Sequence, residues 1–199
     1  RDKHVTGVQT CALPIYDGVQ HALEGNISVS GHAAAFATTL LGLPDETALT
    51  ALAMQVPDSG GVTFVPALAG LGAPHWQAGA RGTIAGMTLA TRPAHVARAT
   101  IEAIALQIGD VLDAIAADLD QSVAALSIDR GPARNHLPAQ MLEAVTRRTI
   151  LRPTIAPATA LGVAILPAIP PGTLIAVGVP TPAPVRPSVP CALSRPHPG

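Results

Sequence analysis

The feature that most constrains this chain is one long apolar stripe. Ile101, Ile104, Ile108, Val111, Leu112 and Ile115 recur mostly at spacings of three and four, with Arg98, Glu102 and Asp113 carrying the charge between them. That period puts the aliphatic side chains on one side of an α-helix, and such a stripe is stable only when other elements cover it. The spacing predicts a helix from Pro93 to Leu119. Thr91 is placed to cap it, and Pro93 falls in its first turn, where a missing N–H costs no intrahelical bond.

Around this helix the pattern changes to extended segments. Val62–Leu68 begins β-branched and aromatic and runs into the Gly-rich turn Ala69-Gly70-Leu71-Gly72-Ala73-Pro74; it reads as a strand followed by a structural turn. Gly82–Leu89 reads as a second strand. Leu126 to Asp129 is a short strand ending at Arg130-Gly131, and Asn135 to Arg148 has helical character with Pro138 near its start. Ile150 to Arg152 is a further strand, and Thr159–Leu166 a helix of small residues. Strands alternating with helices from about residue 17 to residue 166 imply an α/β domain with a mixed sheet flanked by helices.

Composition narrows the functions. A chain of 199 residues holds one domain with a substantial core. Net charge is −1, only 13% of residues are charged, and Lys and Arg form no run, so nucleic acid is not an expected partner. The seven histidines are scattered and none stands beside Cys, Asp or Glu at zinc-ligand spacing, so no metal site is expected. Cys11 and Cys191 are the only cysteines, which suits a reducing cytoplasm.

Both ends differ from the middle. Val5–Ile15, VTGVQTCALPI, looks like the translation of a DNA sequencing adapter, so residues 1–16 are set aside as an artefact. Residues 167–199 hold ten of the twenty prolines and neither a helical nor a strand period; they read as a disordered or frameshifted tail. The uncharged stretch from Pro153 to Val185 is interrupted by Pro157, Pro167, Pro170, Pro171 and Pro180, which argues against a membrane span of about 20 residues.

Four segments, in order, carry a family resemblance: HALEGNISVSG (His21–Gly31), VPDSGGVTFVPALAGLGAPHWQAGARGTIAGMT (Val56–Thr88), ARATIEAIALQIGDVLDAI (Ala97–Ile115), and the pair LSIDRGPARN (Leu126–Asn135) with RPTIAPATALGVAIL (Arg152–Leu166). Together they resemble the C-terminal, nucleotide-binding domain of the FGGY carbohydrate kinases, the glycerol-kinase-like branch most. The resemblance implies an actin-like, ribonuclease-H-like fold for residues 17–166. It also implies an ATP-dependent transfer of the γ-phosphate of MgATP to a polyol, glycerol first, with magnesium brought by the nucleotide. A xylulose kinase or another sugar kinase of the family is the alternative within the class, and a non-catalytic nucleotide-binding or interaction module the alternative outside it.

The resemblance further implies that Gly31, Gly131 and Asn135 touch the nucleotide. A strand, a Gly turn and a helix at Ile128–Asn135 would set a ligand at a strand end beside free helix N–H groups. Gly131 permits close backbone approach, and Asn135 offers a donor and an acceptor. Each residue also has a plainer use: the glycines suit tight turns in any α/β domain, and Asn135 suits a helix cap. The GLGAP segment lacks the GxxxxGK[ST] of a P-loop, and His75 and Trp76 after it fit a loop packing or a cleft equally. Glu102, Gln107 and Asp110 read as a solvated helix face or partner contact, and Asp129 as a turn cap.

The chain departs from the family pattern at Ala35, where Gln is usual, at Arg130, where the first Gly of Asp-Gly-Gly is usual, at Pro157, where an acid is usual, and at Met141-Leu142-Glu143. The family's phosphate-cradling turn, polyol-binding residues and catalytic Asp precede the matched region. No catalytic residue is therefore expected in this chain, which is expected to be inactive alone. Family members commonly form dimers or tetramers, and the faces of Pro93–Leu119 leave room for such a contact.

Overall fold

In a computed structural model, residues 9–15, 18–120, 123–128, 136–152 and 183–184 are described. The elements run β1 (Gln9–Ile15), β2 (Gly18–Glu24), α1 (Gly31–Leu40), α2 (Glu46–Ala53), β3 (Thr63–Val65), β4 (Thr83–Ala85), α3 (Pro93–Leu119), β5 (Ala125–Ser127), α4 (His136–Thr146), β6 (Thr149–Arg152) and β7 (Ala183–Pro184).

Helix α3 is the spine, with the expected bounds but a different cap. Pro93 at the first position drives the residue before it into extended backbone, and Arg92 adopts φ −114°, ψ 160° and becomes the cap. The Arg92 N–H donates to His95 Nδ1 at 3.0 Å. Thr91 sits one residue too early to cap; its Oγ1 instead accepts from the Thr88 N–H at 2.8 Å, closing the preceding turn. The helix ends at Asp120, whose left-handed backbone (φ 50°) stops the ladder.

The expected single stripe is half of the packing. One side of α3, with Ala97, Ile101 and Ala105, packs among Leu49 and Ala53 of α2, Met141 and Leu142 of α4, and Ile150 of β6. Another side, with Ala99 and Ala103, meets Phe64 of β3, Val62 and Val29. Alanines there let the β3–β4 ribbon approach closely. Because α3 is covered on both sides, Arg98 and Glu102 do not form a solvated face: they are only 4% and 7% exposed and pair with each other, Nε to Oε1, at 3.2 Å. Asp113 does face solvent and accepts from Arg148 at 2.8 Å.

The sheets are small. β3 and β4 pair antiparallel over three residues each, shorter than Val62–Leu68 and Gly82–Leu89. Pro66 has no N–H to continue β3, and Gly86, at φ 77°, turns the chain out of β4. Its backbone touches the Gly61 carbonyl, where no Cβ would fit.

β5 and β6 pair parallel, joined through α4, the right kind of crossover for parallel neighbours. β7 adds antiparallel to β6, giving the mixed sheet. Pro138 is the third residue of α4, as its place in the sequence requires. The residues read as foreign at the start take part in backbone pairing, since β1 pairs antiparallel with β2 from Gln9↔Glu24 to Ile15↔Gly18. The expected Thr159–Leu166 helix lies outside the described residues. Among the described residues no helix is long and apolar enough to cross a membrane.

Candidate functional site

Four helices line a cavity of about 260 Å³. Its floor is aliphatic: Leu49 of α2, Ile101, Ile104 and Ile108 of α3, and Leu142 of α4. Its mouth is formed where helices begin. Ser30 and Gly31 open α1, Glu46 opens α2, and Pro138 stands in the first turn of α4. Helix starts carry N–H groups without intrahelical partners and the positive end of the helix dipole.

The local sequence accounts for this arrangement. Gly31 follows Ser30, whose side chain makes no capping bond, so no hydroxyl of the cap covers the first turn of α1. A Cβ added at Gly31 would meet no atom within 4 Å. Among the described residues nothing requires glycine there, and Gly31 lines the cavity. At α2, Asp45 accepts from the Ala48 N–H at 2.8 Å, which fixes the helix start and with it Glu46. Thr50 donates its hydroxyl to the Glu46 carbonyl at 3.1 Å.

Of the predicted nucleotide residues, Gly31 lies on this cavity. Gly131 and Asn135 lie outside the described residues, as does Asp129; Pro138, three positions after Asn135, lines the cavity. Glu46 was not singled out from the sequence. An acid at a helix start complements the dipole wherever it occurs, so nothing local marked it.

The other flagged residues serve the scaffold. In the GLGAP turn, Gly72 lies so close to Asn26 and Ser28 that a Cβ would stand 2.5 Å from the Asn26 carbonyl, and the Ala73 N–H donates to that carbonyl at 3.0 Å. The turn is structural, as expected. His75 reaches Asp110 of α3 at 3.3 Å, and Trp76 is half exposed at φ 49°. Glu102 is held by Arg98 and Ser59, yet burial outweighs both and raises its carboxyl above the ordinary value.

The architecture defines the class first. An α/β layer with a parallel β–α–β unit and a helix-walled cavity is similar to Plasmodium falciparum glycerol kinase solved with ADP, at a TM-score of 0.75 and 29% identity over 81% of this chain and 33% of that one; it is the actin-like, ribonuclease-H-like fold. The sequence model of the C-terminal domain of the FGGY family of carbohydrate kinases matches residues 3–169, and the chain belongs to that family. Glycerol kinase of Chromobacterium violaceum is 45% identical over 158 residues, 79% of this chain and 32% of the relative. Apulose kinase of Pectobacterium atrosepticum is 42% identical over 164 residues, 82% of this chain and 33% of the relative. The chain thus spans about a third of the length of the curated relatives it matches.

Proposed function

We propose that this chain is the nucleotide-binding part of an ATP-dependent carbohydrate kinase that transfers the γ-phosphate of MgATP to a polyol, glycerol first. The observation that carries the reading is the cavity lined by residues from the starts of α1 and α4, Gly31 and Pro138 among them. The residues fit a nucleoside. An aliphatic floor suits a base, and the open space at Gly31 lets a ligand meet backbone rather than a side chain. Gly131 and Asn135 are proposed to complete the nucleotide contacts, and magnesium to arrive on the phosphates and neutralise their charge. In the transfer, the polyol oxygen forms a bond to the γ-phosphorus as the bond to the ADP oxygen breaks. The hydroxyl proton goes to a base supplied from outside the matched domain.

Glycerol is preferred because glycerol kinase is the relative at 45% identity. The apulose kinase relative at 42% keeps another carbohydrate acceptor as the second reading. Titration calorimetry of the full chain with MgATP and MgADP tests the site. Gly31→Val fits the fold, since the position has open space and no positive φ, but it fills the approach to the cavity. Nucleotide binding that Gly31→Val and Asn135→Ala each weaken at least about tenfold, without a change in melting temperature, is the expected result. A folded chain that binds no nucleotide refutes it.

A further inference from the structure

The cavity has an uneven chemistry that the proposed function does not use. Its floor is aliphatic, and among the described residues no Lys or Arg lines it and Glu46 is the one charged lining residue. Glu46 sits at the mouth, is exposed, and its carboxylate makes no ion pair or hydrogen bond among the described residues. Thr50, the neighbouring hydroxyl, is donated to the Glu46 backbone. An ionised carboxylate only accepts hydrogen bonds, and it repels phosphate.

A nucleotide is a chain of three parts, base, ribose and phosphates, and the cavity orders them. The base is the part with flat apolar faces, so it takes the aliphatic floor among Leu49, Ile104 and Ile108. The phosphates do not follow it: among the described lining residues no Lys or Arg would neutralise them and Glu46 opposes them, so they extend outward past Gly31. The ribose then lies at the mouth, where its two vicinal hydroxyls are donors facing Glu46, the one charged residue of the described lining.

Resting on the nucleotide reading above, we propose that Glu46 is the residue that reads the ribose, accepting hydrogen bonds from its 2′- and 3′-hydroxyls, while the base is held by shape on the aliphatic floor. Hydrogen bonds to a charged acceptor are among the stronger ones. Glu46 is then a specificity-determining residue: the site distinguishes ribonucleotides from nucleotides lacking those hydroxyls.

The test is a cycle of two proteins and two ligands, by calorimetry on the full chain with MgATP and with magnesium 2′,3′-dideoxyATP. Glu46→Ala removes the carboxylate at an exposed helix position that alanine suits, and a thermal melt of each protein checks folding. The unsubstituted chain is expected to prefer ATP by about tenfold or more, and Glu46→Ala to bind both ligands alike, close to the dideoxy value. An equal preference in both proteins, or none in either, overturns the ribose assignment and leaves the nucleotide reading standing. Absence of ATP binding by the folded, unsubstituted chain overturns both.

Discussion

At the residue scale the Arg98–Glu102 pair is the sharpest test of how this fold holds together. Both side chains are almost fully buried, and Ser59 also bonds the carboxylate. Breaking a buried pair by removing one member costs about 3–5 kcal/mol, whereas replacing both with apolar residues is often nearly neutral. Glu102→Leu is expected to lower stability to urea by that amount, and Arg98→Met/Glu102→Leu to recover most of it. The pH dependence has a definite sign. Burial raises the folded carboxyl above its ordinary value, overriding the bonds from Ser59 and Arg98. The native state therefore keeps the proton to higher pH than the unfolded chain. Stability from this group is fullest below the unfolded value, about pH 4.3, and declines as pH rises through the folded one. The stability of the unsubstituted chain relative to Glu102→Gln should fall as pH rises above the unfolded value; a difference that stays flat would refute the assignment. The sequence could not show this, because a charged pair four apart on a helix looks the same whether it faces water or the loop at Asp58–Gly60.

At the scale of elements, what was legible depended on how many side chains carried the signal. Helix α3 announced itself through six aliphatic residues, and its bounds held. Its second buried face did not, because Ala99 and Ala103 carry no strong period yet are what admits Phe64. Helix α1 hides for the same reason, being rich in alanine and threonine. Helix α2 is only 8 residues long, but its start was written in Pro44-Asp45-Glu46, an acid able to cap before an acidic first position. Asp45→Ala is expected to lower stability by about 1 kcal/mol in a urea titration, and by disordering the start of α2 also to weaken nucleotide binding if Glu46 contributes. Strands were overestimated because apolar residues, Ala67 and Leu68 in one and Met87 and Leu89 in the other, persist past the points where Pro66 and Gly86 end the pairing. The link between α3 and the β5–β6 layer makes a second element-level prediction. Arg148 is mostly buried and donates both to Asp113 at 2.8 Å and to the Val123 carbonyl at 2.9 Å. Arg148→Met should therefore cost about 1–3 kcal/mol, while Asp113→Asn, at the exposed end of the same pair, should cost under about 1 kcal/mol. Equal losses would mean the carbonyl bond is not what fixes the arginine.

For the whole molecule, the sequence carried the family through long ordered matches, while the cavity was not legible in it. Gly31, named through the resemblance, lines that cavity; Glu46 was not named, since its place there depends on α1, α3 and α4 converging around it. The same convergence limits what the chain can do. Phosphoryl transfer needs an attacking oxygen held in line with the γ-phosphorus and charge neutralised around it. On the proposed reading the cavity takes a base on its floor and a ribose at Glu46, and among its described lining residues no Lys or Arg stands ready for a phosphate. It then holds one end of the nucleotide and leaves alignment of the other to groups beyond it. We therefore expect the full chain, given MgATP and glycerol, to release ADP no faster than buffer in a coupled assay, under conditions where calorimetry shows the nucleotide bound. Turnover well above buffer would overturn this expectation, and Gly31→Val then decides its origin. Activity abolished by that substitution would place the reaction at this cavity and require a base within the chain, whereas activity indifferent to it would belong to another site or another protein in the preparation.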